Sequence, residues 1–133
     1  YVEYLEKDFK TNEKRFDIYD RALGFAVRVA KLIDRLPKSL AVLEYGKQVI
    51  RASGSVGANI EEADGALTKK DFINKMGIAR RESRESRHWL NLIKKTELIN
   101  HQEDKKDLDW QIGESRELML ILSSIINNTT KKK

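Results

Sequence analysis

Apolar side chains recur at alternating steps of three and four along most of this chain, and that spacing limits what the chain can fold into. The clearest stripe comprises Ile18, Ala22, Phe25, Val29, Leu32 and Leu36. A stripe with this period follows one face of an α-helix, and a residue that precedes proline is pushed out of the helical region. We therefore expect a helix over residues 17–36, capped by Asp17 and ended by Pro37, the only proline.

The same period predicts three further helices, over residues 39–66, 68–98 and 103–127. Thr68, with Asp71 three residues later, resembles a capping box at the start of the third helix. Four amphipathic helices with short connections predict an all-α fold, an up-down-up-down four-helix bundle. The predicted core stripes of these three helices are Val42, Val49, Ser53, Val56, Ile60, Ala63 and Leu67, then Phe72, Met76, Ala79, Ser83, Leu90 and Ile93, then Leu108, Ile112, Ser115, Met119, Leu122 and Ile126.

The chain is long enough for one domain with a real core, and we expect the bundle to span residues 17–127. Residues 1–16 are interpreted as a polar N-terminal arm and residues 128–133 as a basic disordered tail. The absence of cysteine excludes a disulfide framework and a thiolate metal site. No apolar run approaches the roughly 18 residues of a membrane span, and the charged N-terminal segment does not resemble a signal peptide. A cytoplasmic protein without a membrane partner is the expectation.

The second helix carries small residues where a helix usually carries leucine. Gly46, Gly54 and Gly57 each cost about 1 kcal/mol relative to alanine in a helix interior. We therefore expect close contacts between helix backbones there, with a break near Gly54 as the alternative. A polar strip flanks the core of this helix, and it is either solvated or part of an interhelical or intersubunit hydrogen-bond network. The residues of that network are Gln48, Arg51, Asn59 and Glu62.

The third helix concentrates positive charge. Between residues 69 and 97 there are nine Lys or Arg and four Asp or Glu, a net charge of +5 that equals the net charge of the whole chain. Arginine offers a planar fork suited to phosphate. The alternative is a solvated face on which Glu82 and Glu85 serve as salt-bridge partners. The predicted nucleic-acid-binding residues are Lys70, Arg80, Arg81, Arg84, Arg87, Lys94 and Lys95.

Apolar residues also lie off the core faces of the third and fourth helices. A helix inside a monomeric bundle needs one apolar face, so the surplus predicts a subunit interface. The same surplus supports a second hypothesis, in which the protein is an interaction scaffold for another protein. The predicted interface residues are Ile78, Trp89, Leu92, Leu120 and Ile121.

Catalytic patterns are weak in this sequence. Glu85 and His88 give one Glu-x-x-His pair on a helix, whereas a di-iron bundle needs two. The other histidine, His101, has Leu98 three residues before it. No nucleophile and base pair is readable from the sequence. We therefore predict no catalytic residue, no metal site and no cofactor.

The second and third helices carry a family resemblance. The runs RASGSVGANIEEA and KKDFINKMGIARRESRESRHWL resemble the four-helix-bundle family that includes proteins encoded in intervening sequences of bacterial 23S ribosomal RNA genes. That family also includes the accessory variability proteins of diversity-generating retroelements. The resemblance covers residues 16–127. It implies a barrel-like homopentamer with a basic surface that binds structured RNA or an RNA and DNA hybrid, in some members alongside a reverse transcriptase.

Together these observations predict a nonenzymatic, homo-oligomeric protein that binds the phosphate backbone of structured RNA or DNA through its third helix. The alternative is an oligomeric protein-interaction scaffold, such as an accessory subunit of a reverse transcriptase.

Overall fold

The computed structural model describes the backbone of residues 12–131 and the side chains of residues 18–131. Its four α-helices are α1 (Asn12–Arg35), α2 (Leu40–Asp64), α3 (Lys69–Lys95) and α4 (Gln102–Lys131). Each helix packs against its neighbours in sequence, and α4 returns to pack against α1. The predicted all-α four-helix bundle is confirmed over these residues. None of the four helices is long and apolar enough to cross a membrane.

The predicted starts of α2 and α3 are confirmed by their caps. The Ser39 hydroxyl accepts a hydrogen bond from the Val42 backbone N–H at 3.2 Å, and the Thr68 hydroxyl accepts one from the Asp71 N–H at 3.0 Å. Each bond satisfies a donor that the first turn of a helix leaves free. Pro37 follows the end of α1 closely, as expected.

The outer ends of α1 and α4 differ from the prediction. Helix α1 begins at Asn12, so Asp17 lies inside the helix and is not its N-cap. Residues 1–11 of the predicted arm lie outside the described part of the chain. Helix α4 continues to Lys131, and therefore the first residues of the predicted disordered tail are helical. Thr129 is buried and its hydroxyl donates to the Ile125 carbonyl at 2.7 Å, a contact that its polar sequence neighbourhood does not reveal.

Every predicted stripe residue of α1 and α3 is buried, and the predicted core residues that are not buried are Leu67 of the α2 stripe and Ile112 and Met119 of the α4 stripe. Leu67 is 92% exposed because α2 ends at Asp64, before the chain reaches that position. In α4 the buried stripe contains Gln111 and Leu118, whereas Ile112 is half-buried. The buried Gln111 side chain is stabilised by a hydrogen bond, which its Nε2 donates to the Arg28 carbonyl at 3.1 Å. The α4 stripe that the structure buries is Leu108, Gln111, Ser115, Leu118, Leu122, Ile125, Ile126 and Thr129.

Helix α2 runs without a break through Gly54, so the alternative of an interrupted helix is wrong. The expected close contact occurs at Gly46, where an added Cβ would lie 2.7 Å from the Ile33 Cγ2 atom of α1. At Gly57 an added Cβ would make ordinary contacts, the closest at 3.6 Å, and at Gly54 it would meet nothing within 4 Å. One of the three glycines of α2 therefore sets the distance between two helices.

Candidate nucleic-acid interface

Ion pairs hold α1 against α4. Three arginines of α1, Arg21, Arg28 and Arg35, lie seven residues apart, which places them on one face two turns from each other. Their partners are acidic residues of α4. The pairs are Arg21–Glu114 at 2.6 Å, Arg28–Asp107 at 2.7 Å, and Arg35 with Asp104 and Asp107 at 3.1 Å each.

Two further contacts strengthen this seam. The Arg28 guanidinium lies 3.6 Å from the centroid of a Trp110 ring, a cation–π contact. The hydrogen bond to Asp104 raises the pKa of the Arg35 guanidinium, with Asp107 adding to the effect. The carboxylates that α4 presents to α1 are therefore engaged by arginine.

A second set of charges joins α2 to α3. Arg51 pairs with Glu82 at 3.4 Å and with Glu85, and the Trp89 Nε1–H donates to Glu85 at 3.2 Å. Glu82 is largely buried, so its carboxylate depends on Arg51 for compensation. Both acids from the middle of α3 therefore face α2 and not the arginines of their own helix.

The other residues of the predicted polar network lie apart from this cluster. Asn59 donates to the Ser55 carbonyl at 2.8 Å and to its hydroxyl at 3.1 Å, so these bonds stay within α2. Gln48 is half-buried and Glu62 is exposed. Arg51 is the predicted network residue that joins two helices through ion pairs.

The seam between α3 and α4 has a repeating register. Lys94 pairs with Asp109 at 2.7 Å, and Arg80 donates to the Ser123 hydroxyl at 3.4 Å. These two contacts lie fourteen residues apart on each helix. We call each such pair of facing positions a rung. The middle rung, seven residues from both, consists of Arg87 and Arg116.

Basic residues converge on this seam from both helices. Arg80 and Arg87 are half-buried on its α3 side, Arg84 is exposed beside them, and Arg116 is exposed on α4. We refer to these four residues as the arginine seam. The structure places Arg80, which donates to Ser123 of α4, and the half-buried Arg87 on the flank of the core.

The remaining predicted nucleic-acid-binding residues lie outside this seam or are neutralised. Lys70, Arg81 and Lys95 are exposed and extend the basic surface toward both ends of α3. Lys94 belongs to an exposed ion pair with Asp109. Arg116 was missed because Glu114 and Glu117 make its sequence neighbourhood acidic. Its seven-residue spacing from Asp109 and Ser123 identifies it only once these two residues are known to face α3.

The predicted subunit interface is less exposed than its sequence suggested. Trp89 and Ile121 pack against the core, and the Trp89 ring lies 6.0 Å from Tyr45 and 4.9 Å from His88. Ile78 and Leu92 are half-buried, while Leu120 is 44% exposed. Ring contacts within the bundle therefore account for part of the apolar surplus on α3.

A different apolar surface runs along α1 and α2. Leu23 and Val27 on α1 and Leu43 and Ile50 on α2 are between 42% and 50% exposed. Between the helices lies a shallow groove of about 150 Å³, with Gly46 among its lining residues. This surface was not predicted, because periodicity locates the buried face of a helix but not the element that covers its other faces.

Metal-binding side chains do not cluster in this part of the chain. Within the described residues no group of three or more His, Cys, Asp or Glu could hold a metal ion. His88, the histidine of the Glu-x-x-His pair, is exposed and packs edge-on against Trp89. The charge arrangement of α3 and α4 is thus the feature of the bundle that points to a ligand.

Comparisons with known proteins agree with this fold. Residues 14–121 match the sequence profile of the 23S rRNA-intervening sequence protein family. The chain is also similar to a 1.70 Å crystal structure of a protein with unknown function from the S23 ribosomal protein family of Bacteroides thetaiotaomicron VPI-5482. The TM-score is 0.74 and the identity 36%, over 86% of this chain and 98% of that chain. No curated protein matches the sequence. The chain belongs to the 23S rRNA-intervening sequence protein family.

Proposed function

We propose that this protein is a nonenzymatic binder of structured RNA or of an RNA and DNA hybrid, and that the arginine seam contacts the phosphate backbone. One observation carries the proposal. In the middle of α3, Glu82 and Glu85 pair with Arg51 of α2. On α4, Asp107 and Glu114 pair with arginines of α1, so none of these carboxylates faces the α3–α4 seam. What remains at the centre of that seam is positive charge.

This charge separation weighs against the alternative of a plain solvated face. In that alternative Glu82 and Glu85 pair with arginines of their own helix, but both carboxylates face Arg51 of α2. Exposed ion pairs contribute about 0–1 kcal/mol, so stability gives little reason to keep arginines on the seam. Phosphate offers such a reason, because it accepts two parallel hydrogen bonds from one guanidinium.

The residues of the arginine seam favour contact with the phosphate backbone of the nucleic acid and not with its bases. Proteins that bind single strands usually stack bases on aromatic side chains. In the described part of the bundle, Trp89 packs against Tyr45 and Trp110 against Arg28, away from the seam. A double helix presents its phosphates without such stacking. The family name refers to intervening sequences of 23S rRNA, which makes structured RNA the first ligand to test.

The proposal predicts a steep dependence of affinity on salt. Each phosphate neutralised on duplex DNA contributes about −0.9 to the slope of log affinity against log salt. Four arginines that each neutralise one phosphate give a slope of about −3.6, so affinity should fall roughly 100-fold between 50 and 200 mM salt. Fluorescence anisotropy with a labelled RNA hairpin measures this slope. A flat response would mean that the partner is not a nucleic acid.

The apolar surface of α1 and α2 favours protein contact as a second activity. We propose that a further copy of this chain covers Leu23, Val27, Leu43 and Ile50, which gives the homo-oligomer that the family resemblance implies. An alternative occupant is a protein such as a reverse transcriptase, for which the bundle would be an accessory subunit.

Light scattering with a charged substitution in this surface tests the oligomer. The wild-type protein should have a mass that is a multiple of the 15.4 kDa chain. Val27→Lys should reduce the mass to that of one chain, because a buried lysine without a partner opposes association. Leu67→Lys, at an exposed apolar position outside both this surface and the interface predicted from the sequence, serves as the control. A monomeric wild-type protein would refute the homo-oligomer and leave another protein as the occupant.

A further inference from the structure

The middle rung of the α3–α4 seam differs from the rungs around it. Lys94 faces Asp109, and Arg80 faces a neutral hydroxyl of Ser123. On the α1–α4 seam, Arg21, Arg28 and Arg35 each face a carboxylate of α4. By the same register, Arg87 and Arg116 occupy facing positions on the two helices. Like charges at facing positions are destabilising, and among the described residues neither arginine forms an ion pair.

A second observation at the same rung is independent of this register. The Nε atom of Arg87 is buried and has no hydrogen-bond partner among the described residues. A buried donor without an acceptor loses its hydration and gains nothing in return. The donors of Arg21 and Arg28 are satisfied by carboxylates of α4. An anion bound by the Arg87 guanidinium would give this arginine the charge partner that Arg21 and Arg28 have in the carboxylates of α4.

We propose that Arg87 and Arg116 form a phosphate site at the centre of the arginine seam. A phosphate group is small, carries negative charge and offers several acceptor oxygens, so one group can bond to both guanidinium forks. Its charge also removes the repulsion across the rung. The site rests on the proposed function to the extent that its phosphate comes from a nucleic-acid backbone. A free phosphate ion has the same chemistry.

Charge reversal at Arg116 separates ligand binding from folding. Arg116→Glu converts the rung into an arginine–glutamate pair of the kind that holds α1 to α4, so the variant should unfold at the same temperature as the wild-type protein or higher. Its affinity for an RNA hairpin should nevertheless fall at least tenfold more than that of Lys106→Glu. Lys106 is exposed on the same helix, ten residues and about 15 Å before Arg116, and the two substitutions change the net charge equally. Arg116→Gln removes the charge without adding a new pair and should also weaken binding.

Inorganic phosphate tests the site without nucleic acid. At equal ionic strength, replacing chloride by phosphate at roughly ten times its dissociation constant should raise the wild-type melting temperature by about 3–6 °C. The shift should vanish in Arg116→Glu and persist in Lys106→Glu.

The two arms distinguish the sources of the phosphate. Loss of both hairpin affinity and the phosphate shift in Arg116→Glu supports a site for the nucleic-acid backbone. If Arg116→Glu loses the phosphate-induced rise in melting temperature but keeps its affinity for the hairpin, the site binds a free phosphate ion. If Arg116→Glu behaves like Lys106→Glu in both arms, the site is refuted. A wild-type protein that binds no hairpin refutes the proposed function, and the phosphate arm then decides the site by itself.

Discussion

Reversing Arg80, Arg84 and Arg87 to glutamate is expected to lower the affinity for an RNA hairpin by about 1,000-fold or more. The reason is that each substitution removes a phosphate contact and adds a charge that the backbone repels. Arg80 and Arg87 lie on the flank of the core and not within it, so the bundle should remain folded. Fluorescence anisotropy measures the affinity, and circular dichroism checks that the helix content is retained.

A second triple variant controls for net charge. Lys31, Lys47 and Lys106 are exposed on α1, α2 and α4, and reversing them changes the net charge by the same amount as reversing the three arginines. Long-range attraction depends on total charge, so this variant should lose some affinity, on the order of tenfold. Equal losses in the two variants would show that the overall field, and not the arginine seam, binds the RNA.

Gly46→Ala is expected to lower the free energy of unfolding by about 1–3 kcal/mol, the usual cost of overpacking a core. The added Cβ would lie 2.7 Å from the Ile33 Cγ2 atom, and the β-branched Ile33 has little rotamer freedom to yield. Urea denaturation measures the change. Gly54→Ala on the same helix meets nothing within 4 Å and should raise the free energy of unfolding by about 0.5–1 kcal/mol, because alanine favours the helix.

A double-mutant cycle identifies the cause of the Gly46 effect. Ile33→Ala removes the Cγ2 atom, so Gly46→Ala should cost much less in that background than in the wild-type protein. The coupling between the two positions should be on the order of 1 kcal/mol or more. Additive effects would mean that Gly46 is required for a reason other than its contact with Ile33.

Much of the fold could be predicted from the sequence because the periodic signal is strong. The stripe from Ile18 to Leu36 has one interpretation, and the Ser39 and Thr68 caps fix the starts of α2 and α3. In the C-terminal half of α4, apolar residues lie on nearly every face of the helix, so the hydrophobic periodicity does not identify one buried face. Thr129 in that half was not recognised as buried, and neither was Gln111 in the first half, because polar side chains usually lie on the exposed face of a helix. Their burial depends on tertiary contacts and, for Thr129, on a hydroxyl that bonds to its own helix.

The candidate site was harder to predict because the net charge of a surface depends on which charged residues pair with residues of other helices. The excess of basic residues on α3 was visible, but the sequence does not show that Glu82 and Glu85 turn toward Arg51. Arg116 could not be assigned without knowing which face of α4 meets α3. The exposed apolar surface around Val27 and Ile50 was overlooked for the same reason, since periodicity locates a face but not the element that covers it.

The central claim is that the arginine seam contacts phosphates, and the salt dependence of the Arg80, Arg84 and Arg87 reversal tests it most directly. If each of these arginines neutralises one phosphate, the slope of log affinity against log salt should be shallower than that of the wild-type protein by about 2.7. A reversal variant that binds more weakly but keeps the wild-type slope would contradict the claim, because the lost affinity would then come from something other than phosphate contacts.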